Sequence, residues 1–240
     1  MSQLSCSFAE TAWPEDEIPM TLQVGMVAHD GWVLTSDTQG TLQGQGWVRQ
    51  TYQTDKILCR NGVATLAWGD ECAMIARQAI LDRLTPTPTT IGSDTFSEAA
   101  RDIAVETWKA NPGSSPQRTR GIVFASVGHK KLWHLSFGEQ AVIHDQMNKQ
   151  VYGDPSNPVI FFSEEFYRPS LTVRELTLLA SHIVLQGARW NAMVYGLAIV
   201  IWKESSDQLE LVDPTSYIER STQLSRDLHE LMSRTMKDGD

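Results

Sequence analysis

Apolar residues along this chain follow two rhythms: short runs broken by turn residues, and longer stretches with a helical period. The first run, Leu22 to Ala28, precedes His29-Asp30-Gly31 and then Trp32 to Ser36, which predicts a strand pair across a tight turn. Gly40, Gly44 and Gly46 loosen the stretch before an expected strand at Trp47 to Tyr52. Lys56 to Cys59 and Val63 to Ala67 flank Arg60-Asn61-Gly62, where Asn-Gly is a strong hairpin signal. Asp70 to Leu84 carries apolar residues at Ala73, Met74, Ala76, Ile80 and Leu84, the spacing of one helix face. A connector with Pro86 and Pro88 leads to a second helix, Ser97 to Lys109, ended by Asn111-Pro112-Gly113. Gly121 to Val127 and Lys131 to Phe137 predict another hairpin, followed by short strands at Ala141 to His144, Gln150 to Tyr152 and Val159 to Phe162. Thr172 and Glu175 have the spacing of a capping box ahead of Leu176, Leu179, Ile183 and Leu185, so a helix starts there. Tyr195 to Trp202 with Gln208 to Val212 predicts the last hairpin, and Tyr217 to Met236 a final helix.

The order is strands, two helices, strands, a helix, a hairpin and a helix. Grouped helices between groups of strands predict two antiparallel sheets face to face with helices outside, an α+β architecture. Residues 1–20 are polar and acidic, carry Pro14 and Pro19, and show no period. They are expected to be a disordered extension, a propeptide or a stretch upstream of the true start, with one domain over 21–240. The chain has 240 residues, 41% of them apolar, enough for a sizeable core. A formal net charge of -9 argues against a general nucleic-acid binder and fits a soluble cytoplasmic protein. No apolar run is long enough to span a bilayer, and no signal peptide is expected. Cys6, Cys59 and Cys72 suit neither a disulfide framework nor a zinc site. The six histidines show no metal spacing, and no phosphate loop follows the glycines.

One constellation carries chemistry. Thr21, Asp37 and Lys56 lie at expected strand ends. A threonine hydroxyl is a weak nucleophile and needs a base; an N-terminal amine, titrating near about 7.7–8.0, can serve. A lysine beside that amine lowers its pKa, and a carboxylate holds the lysine charged and oriented. Singly, each residue also reads as an ordinary edge threonine, turn aspartate or solvated strand-end charge.

The segment TLQVGMVAHDGWVLTSDTQ, then TDKI, then LAWGDECAMIARQAI, resembles the N-terminal half of a proteasome β subunit and is similar to the bacterial HslV-type peptidase. The resemblance implies a four-layer αββα sandwich of the N-terminal-nucleophile (Ntn) hydrolase type, assembling into homo-oligomeric rings. It implies that Thr21 is nucleophile and base amine, that Asp37 pairs with Lys56, and that the backbone amides of Trp68 and Gly69 bind the oxyanion. Peptides or unfolded proteins would be the substrates, with an ATPase unfoldase as a partner; no cofactor is implied. The chain departs from that family at Gly153-Asp154-Pro155, where the family has Gly-Ser-Gly. It departs again at Asn191-Ala192-Met193-Val194, where the family has Asp-x-x-Ser. Met20 precedes Thr21 in place of the glycine at the family's cleavage point, so either Met20 is the initiator or the extension stays on. A catalytically silent ring or scaffold subunit and a small-molecule amide hydrolase stay open as alternatives.

Overall fold

The computed structural model describes residues 21–43, 49–111, 120–153, 159–191 and 194–237. The expected extension at 1–20 lies outside them, as do Gly44, Gly46, Trp47, Pro112, Gly113, Asp154, Pro155, Ala192 and Met193.

The elements run β1 (Gln23–Ala28), β2 (Gly31–Ser36), β3 (Gln39–Gln43), β4 (Arg49–Gln53), β5 (Ile57–Arg60), β6 (Val63–Trp68), α1 (Glu71–Leu84) and α2 (Asp94–Ala110). They continue with β7 (Arg120–Ser126), β8 (Leu132–Phe137), β9 (Ala141–Met147), β10 (Lys149–Tyr152), α3 (Ile160–Phe166), α4 (Val173–Trp190), β11 (Ala198–Lys203), β12 (Glu210–Leu211) and α5 (Thr215–Lys237). One antiparallel sheet has the order β10-β1-β2-β11-β12 and the other β5-β6-β7-β8-β9, with β3-β4 as a separate hairpin.

Three apolar clusters define four layers. The space between the sheets holds Trp32, Leu34, Leu66, Trp68, Val123, Leu132 and Trp202. Val24, Met26, Val33, Ile199 and Ile201 face the other way, onto Val173, Leu176, Ala180, Ile183 and Val184 of α4. On the far side, Val63, Ala67, Ile122, Phe124 and Leu135 pack on α1 and α2. Strands β1, β2, β6 and β7 are thus covered on both faces, which is why they read as near-continuous apolar runs. The sandwich is the four-layer αββα arrangement expected from the sequence.

The local signals work as their chemistry predicts. Asn61 and Gly62 take φ of 50° and 78° between β5 and β6, the left-handed pair a two-residue hairpin turn needs. The Thr172–Glu175 capping box forms in both directions at the start of α4, and Asp30 in the β1–β2 turn adds a carboxylate that accepts from the Val173 amide at 2.7 Å. A carboxylate on the positive end of α4 is favourable, so the turn also docks the helix.

Two expectations are corrected. Val159 to Phe162 is not a strand: Ile160–Phe166 forms α3. A short apolar run cannot be assigned by period alone, and here Phe162 and Phe166, four apart, meet at 5.9 Å between ring centroids, as one helix face allows. The glycine-loosened stretch is in part a strand: β3 includes Gly40, paired with Tyr52 of β4. Among the described residues no helix is long and apolar enough to cross a membrane.

Candidate active site

The register of β1 on β2 builds the site. Gln23 pairs with Ser36, so Leu22 and Asp37 face each other just past the ladder's end. They bond twice: the Asp37 amide donates to the Leu22 carbonyl at 3.1 Å and the Leu22 amide donates to Asp37 Oδ1 at 2.9 Å. This fixes Thr21, one residue earlier, over the carboxylate. Its hydroxyl donates to Asp37 Oδ1 at 2.8 Å. Lys56, one residue ahead of β5 in the facing sheet, reaches across. Its Nζ donates to Thr21 Oγ1 at 2.7 Å and to Asp37 Oδ2 at 2.7 Å. The structure therefore brings Thr21, Asp37 and Lys56 into one closed triangle of hydrogen bonds.

The carboxylate of Asp37 is fully buried and the Lys56 side chain nearly so. Burial lowers the pKa of Lys56; the charge of Asp37 and its hydrogen bond oppose that without cancelling it. The ammonium thus holds its proton less firmly than an exposed lysine would, while donating to the oxygen that would act as nucleophile.

Trp68 ends β6 opposite Gly121 of β7, and Gly69 follows at a φ of +116° that favours glycine. The Trp68 ring stacks on Tyr152 at 4.8 Å and leans on His134 at 4.9 Å. That packing demands Gly121, because a Cβ there would run into the indole Cζ2 of Trp68. The turn is tied to the triangle through Gln23, whose Nε2 donates to the Ala67 carbonyl at 2.8 Å. Asp70 accepts from the Cys72 amide and caps α1, and Arg120 at the start of β7 grips it with Nε at 2.8 Å and Nη2 at 2.5 Å. Gln23 and Arg120 carried no local sequence signal, and Asp70 signalled only the helix start, not its pairing with Arg120. Arg77, whose Nη1 donates to the Lys56 carbonyl at 2.5 Å, did carry one: it interrupts the apolar stripe of α1 between Ala73 and Ile80.

Burial, with His144 adding to it, pushes the His134 imidazole down to about 4. An unfolded chain binds that proton near about 6.5, ahead of the folded one, so folded stability falls as pH drops through that interval. Discounted for partial exposure, the loss should approach about 2 kcal/mol at the low end. Urea unfolding at two pH values should show a smaller difference for His134→Phe; an unchanged difference would exclude His134 as the source.

Comparison with protein-family profiles and with curated proteins finds no match. Solved structures do match. An Anbu (Gly-1) mutant from Hyphomicrobium sp. strain MC1 aligns at a TM-score of 0.68 and 14% identity, covering 89% of this chain and 96% of that one. Anbu, described as an ancestral beta-subunit, from Yersinia bercovieri aligns at 0.68 and 12% identity over 89% and 97%. The Anbu complex of Pseudomonas aeruginosa, described as a helical assembly, aligns at 0.65 and 13% identity over 89% and 96%. These findings overturn the assignment to the proteasome β subunit and HslV-type peptidases. The motifs that carried it mark strand ends, turns and a helix start, which follow from the layout of the sandwich rather than from one family within it. At such identities the likeness is one of fold: this chain has the proteasome-like Ntn architecture that the Anbu structures share.

Proposed function

We propose that this chain is a self-associating threonine-type peptidase subunit with Thr21 as nucleophile. The observation that carries the reading is the closed triangle of Thr21, Asp37 and Lys56. Thr21 Oγ1 attacks the carbonyl carbon of a peptide bond and forms an ester. Its proton passes to the Thr21 amine when that amine is free, and then to the departing amine of the substrate. Lys56 lowers the amine's proton affinity and lies within proton-transfer distance of Oγ1, while Asp37 orients Lys56. The amides at Trp68 and Gly69 receive the oxyanion. Water then hydrolyses the ester and restores the hydroxyl.

An irreversible peptide electrophile, such as a peptidyl epoxyketone, tests this by mass spectrometry of the intact and digested protein. One adduct on Thr21, absent from Thr21→Ala, is the expected result. An unmodified protein between pH 6 and 9 would sink the peptidase reading and leave the scaffold one. The intact mass also shows which residue the mature chain begins with.

Self-association has its own support. Ser221 and Ser225 of α5 bond His182 and Gln186 of α4, whereas Leu224, Leu228 and Met232, four residues apart, are 36%, 37% and 63% exposed. An apolar stripe on one helix suits burial against a second copy, in line with the helical assembly described for the Pseudomonas aeruginosa complex. The double variant Leu228→Glu/Met232→Glu should sediment as a smaller species with unchanged helical content. An unaltered sedimentation profile would remove α5 from the contact.

A further inference from the structure

Arg77 is a buried cation without a carboxylate. Its residue is 6% exposed, and among the described residues no acidic group lies within ion-pair distance of it. Burial alone pushes its pKa down to about 10. Its Nε is buried and has no hydrogen-bond partner among the described residues. An apolar side chain of similar volume would occupy this position without that desolvation cost. What an apolar side chain could not do is donate to the carbonyl of Lys56, as Arg77 Nη1 does at 2.5 Å.

That carbonyl is a sensitive place to grip. Lys56 lies one residue outside the β5–β6 ladder, which starts at Ile57 opposite Leu66, so its backbone lacks the ladder's support. Its side chain must still bring Nζ within 2.7 Å of both Thr21 and Asp37 in the other sheet. The helix carrying Arg77 begins immediately after the turn at Trp68 and Gly69, where Asp70 caps it. We propose that Arg77 is a positioning residue: from α1 it holds the backbone of Lys56, so that one helix sets both the oxyanion turn and the ammonium that reaches Thr21. The proposal rests on the reading of Thr21, Asp37 and Lys56 given above, and it adds a residue that touches neither substrate nor reacting atoms.

The test compares the parent in its mature form, with Thr21 as the first residue, with Arg77→Met, which removes the donor, and Arg77→Lys, which keeps a cationic donor of slightly shorter reach. The first readout needs no activity: the titration of Lys56 followed through its ε-carbon by NMR of selectively labelled protein. In the parent, burial holds the midpoint below 10.5. Freed from its anchor, Lys56 gains water, so Arg77→Met should raise the midpoint while Arg77→Lys stays close to the parent. The second readout is the rate at which the peptidyl epoxyketone forms its adduct on Thr21, through addition of Oγ1 to the ketone and opening of the epoxide by the Thr21 amine. A misplaced lysine should slow it about 100-fold in Arg77→Met, with Arg77→Lys regaining most of the rate. Should Arg77→Met fail to fold, Arg77→Gln, a neutral donor of shorter reach, takes its place. An unmoved Lys56 midpoint overturns the proposal. So does an equal loss in the methionine and lysine variants, which would mark packing alone. A parent that never forms the epoxyketone adduct, but whose Lys56 midpoint moves in Arg77→Met, would refute the peptidase reading and leave the positioning role standing.

Discussion

Asp37→Ala should lower the unfolding free energy by about 3–5 kcal/mol, a large part of the 5–15 kcal/mol typical of a whole domain. The carboxylate is fully buried and accepts from four donors: the Thr21 hydroxyl, the Leu22 amide, the Gln39 amide and the Lys56 ammonium. Alanine strands the ammonium in a site that already disfavours its charge. Breaking a buried pair costs more than never having had it, because one charge remains without compensation. Asp37→Ala/Lys56→Met should therefore be more stable than Asp37→Ala alone. Urea unfolding of both variants measures the difference. A loss under about 1 kcal/mol in the single variant would mean that Lys56 swings into water, as exposed pairs do.

Arg120→Met should cost a comparable amount, about 3–5 kcal/mol reduced by whatever water reaches Asp70. The Arg120 side chain is fully buried and Asp70 is 14% exposed, so the lost bonds are replaced only in part by solvent. The loss should also reach the site. Asp70 follows Gly69 and caps α1, so with Arg120 gone the turn at Trp68-Gly69 loses one of its attachments. The expected signature is a lower unfolding midpoint together with slower formation of the epoxyketone adduct on Thr21. Full stability in Arg120→Met would contradict the role given to the pair.

Much of this arrangement was legible in the chain because the signals were local. Asn61-Gly62 dictates a left-handed turn, and Thr172 with Glu175 dictates a helix start whatever surrounds them. Thr21, Asp37 and Lys56 could be singled out because each sits at the end of an apolar run bounded by turn residues and because the segment around them resembles a known family. What stayed hidden depends on register between distant segments. Nothing near Arg120 announces Asp70, and nothing near Gln23 announces the Ala67 carbonyl; both contacts exist only once β6 lies beside β7 and the two sheets face each other. The helix at Ile160–Phe166 was misread for a different reason: seven residues are too few for a period of 3.6 to outweigh a run of β-prone side chains.

The two sheets differ in how far apart along the chain their strands lie, and that difference has a kinetic consequence. The sheet β5-β6-β7-β8-β9 follows chain order and needs only residues between Ile57 and Met147. The other cannot close until β1 has met β10 and β2 has met β11. Closing long loops costs entropy before any contact repays it. The meander should accordingly gain amide protection first in pulse-labelled refolding, with β1 and β2 protected last. Thr21 and Asp37 belong to the late sheet and Lys56 to the early one, so the triangle would not exist in partly folded chains. Under the peptidase reading proposed above, a nucleophile completed in the final step of folding is silent during synthesis, when neighbouring unfolded chains would otherwise be within its reach.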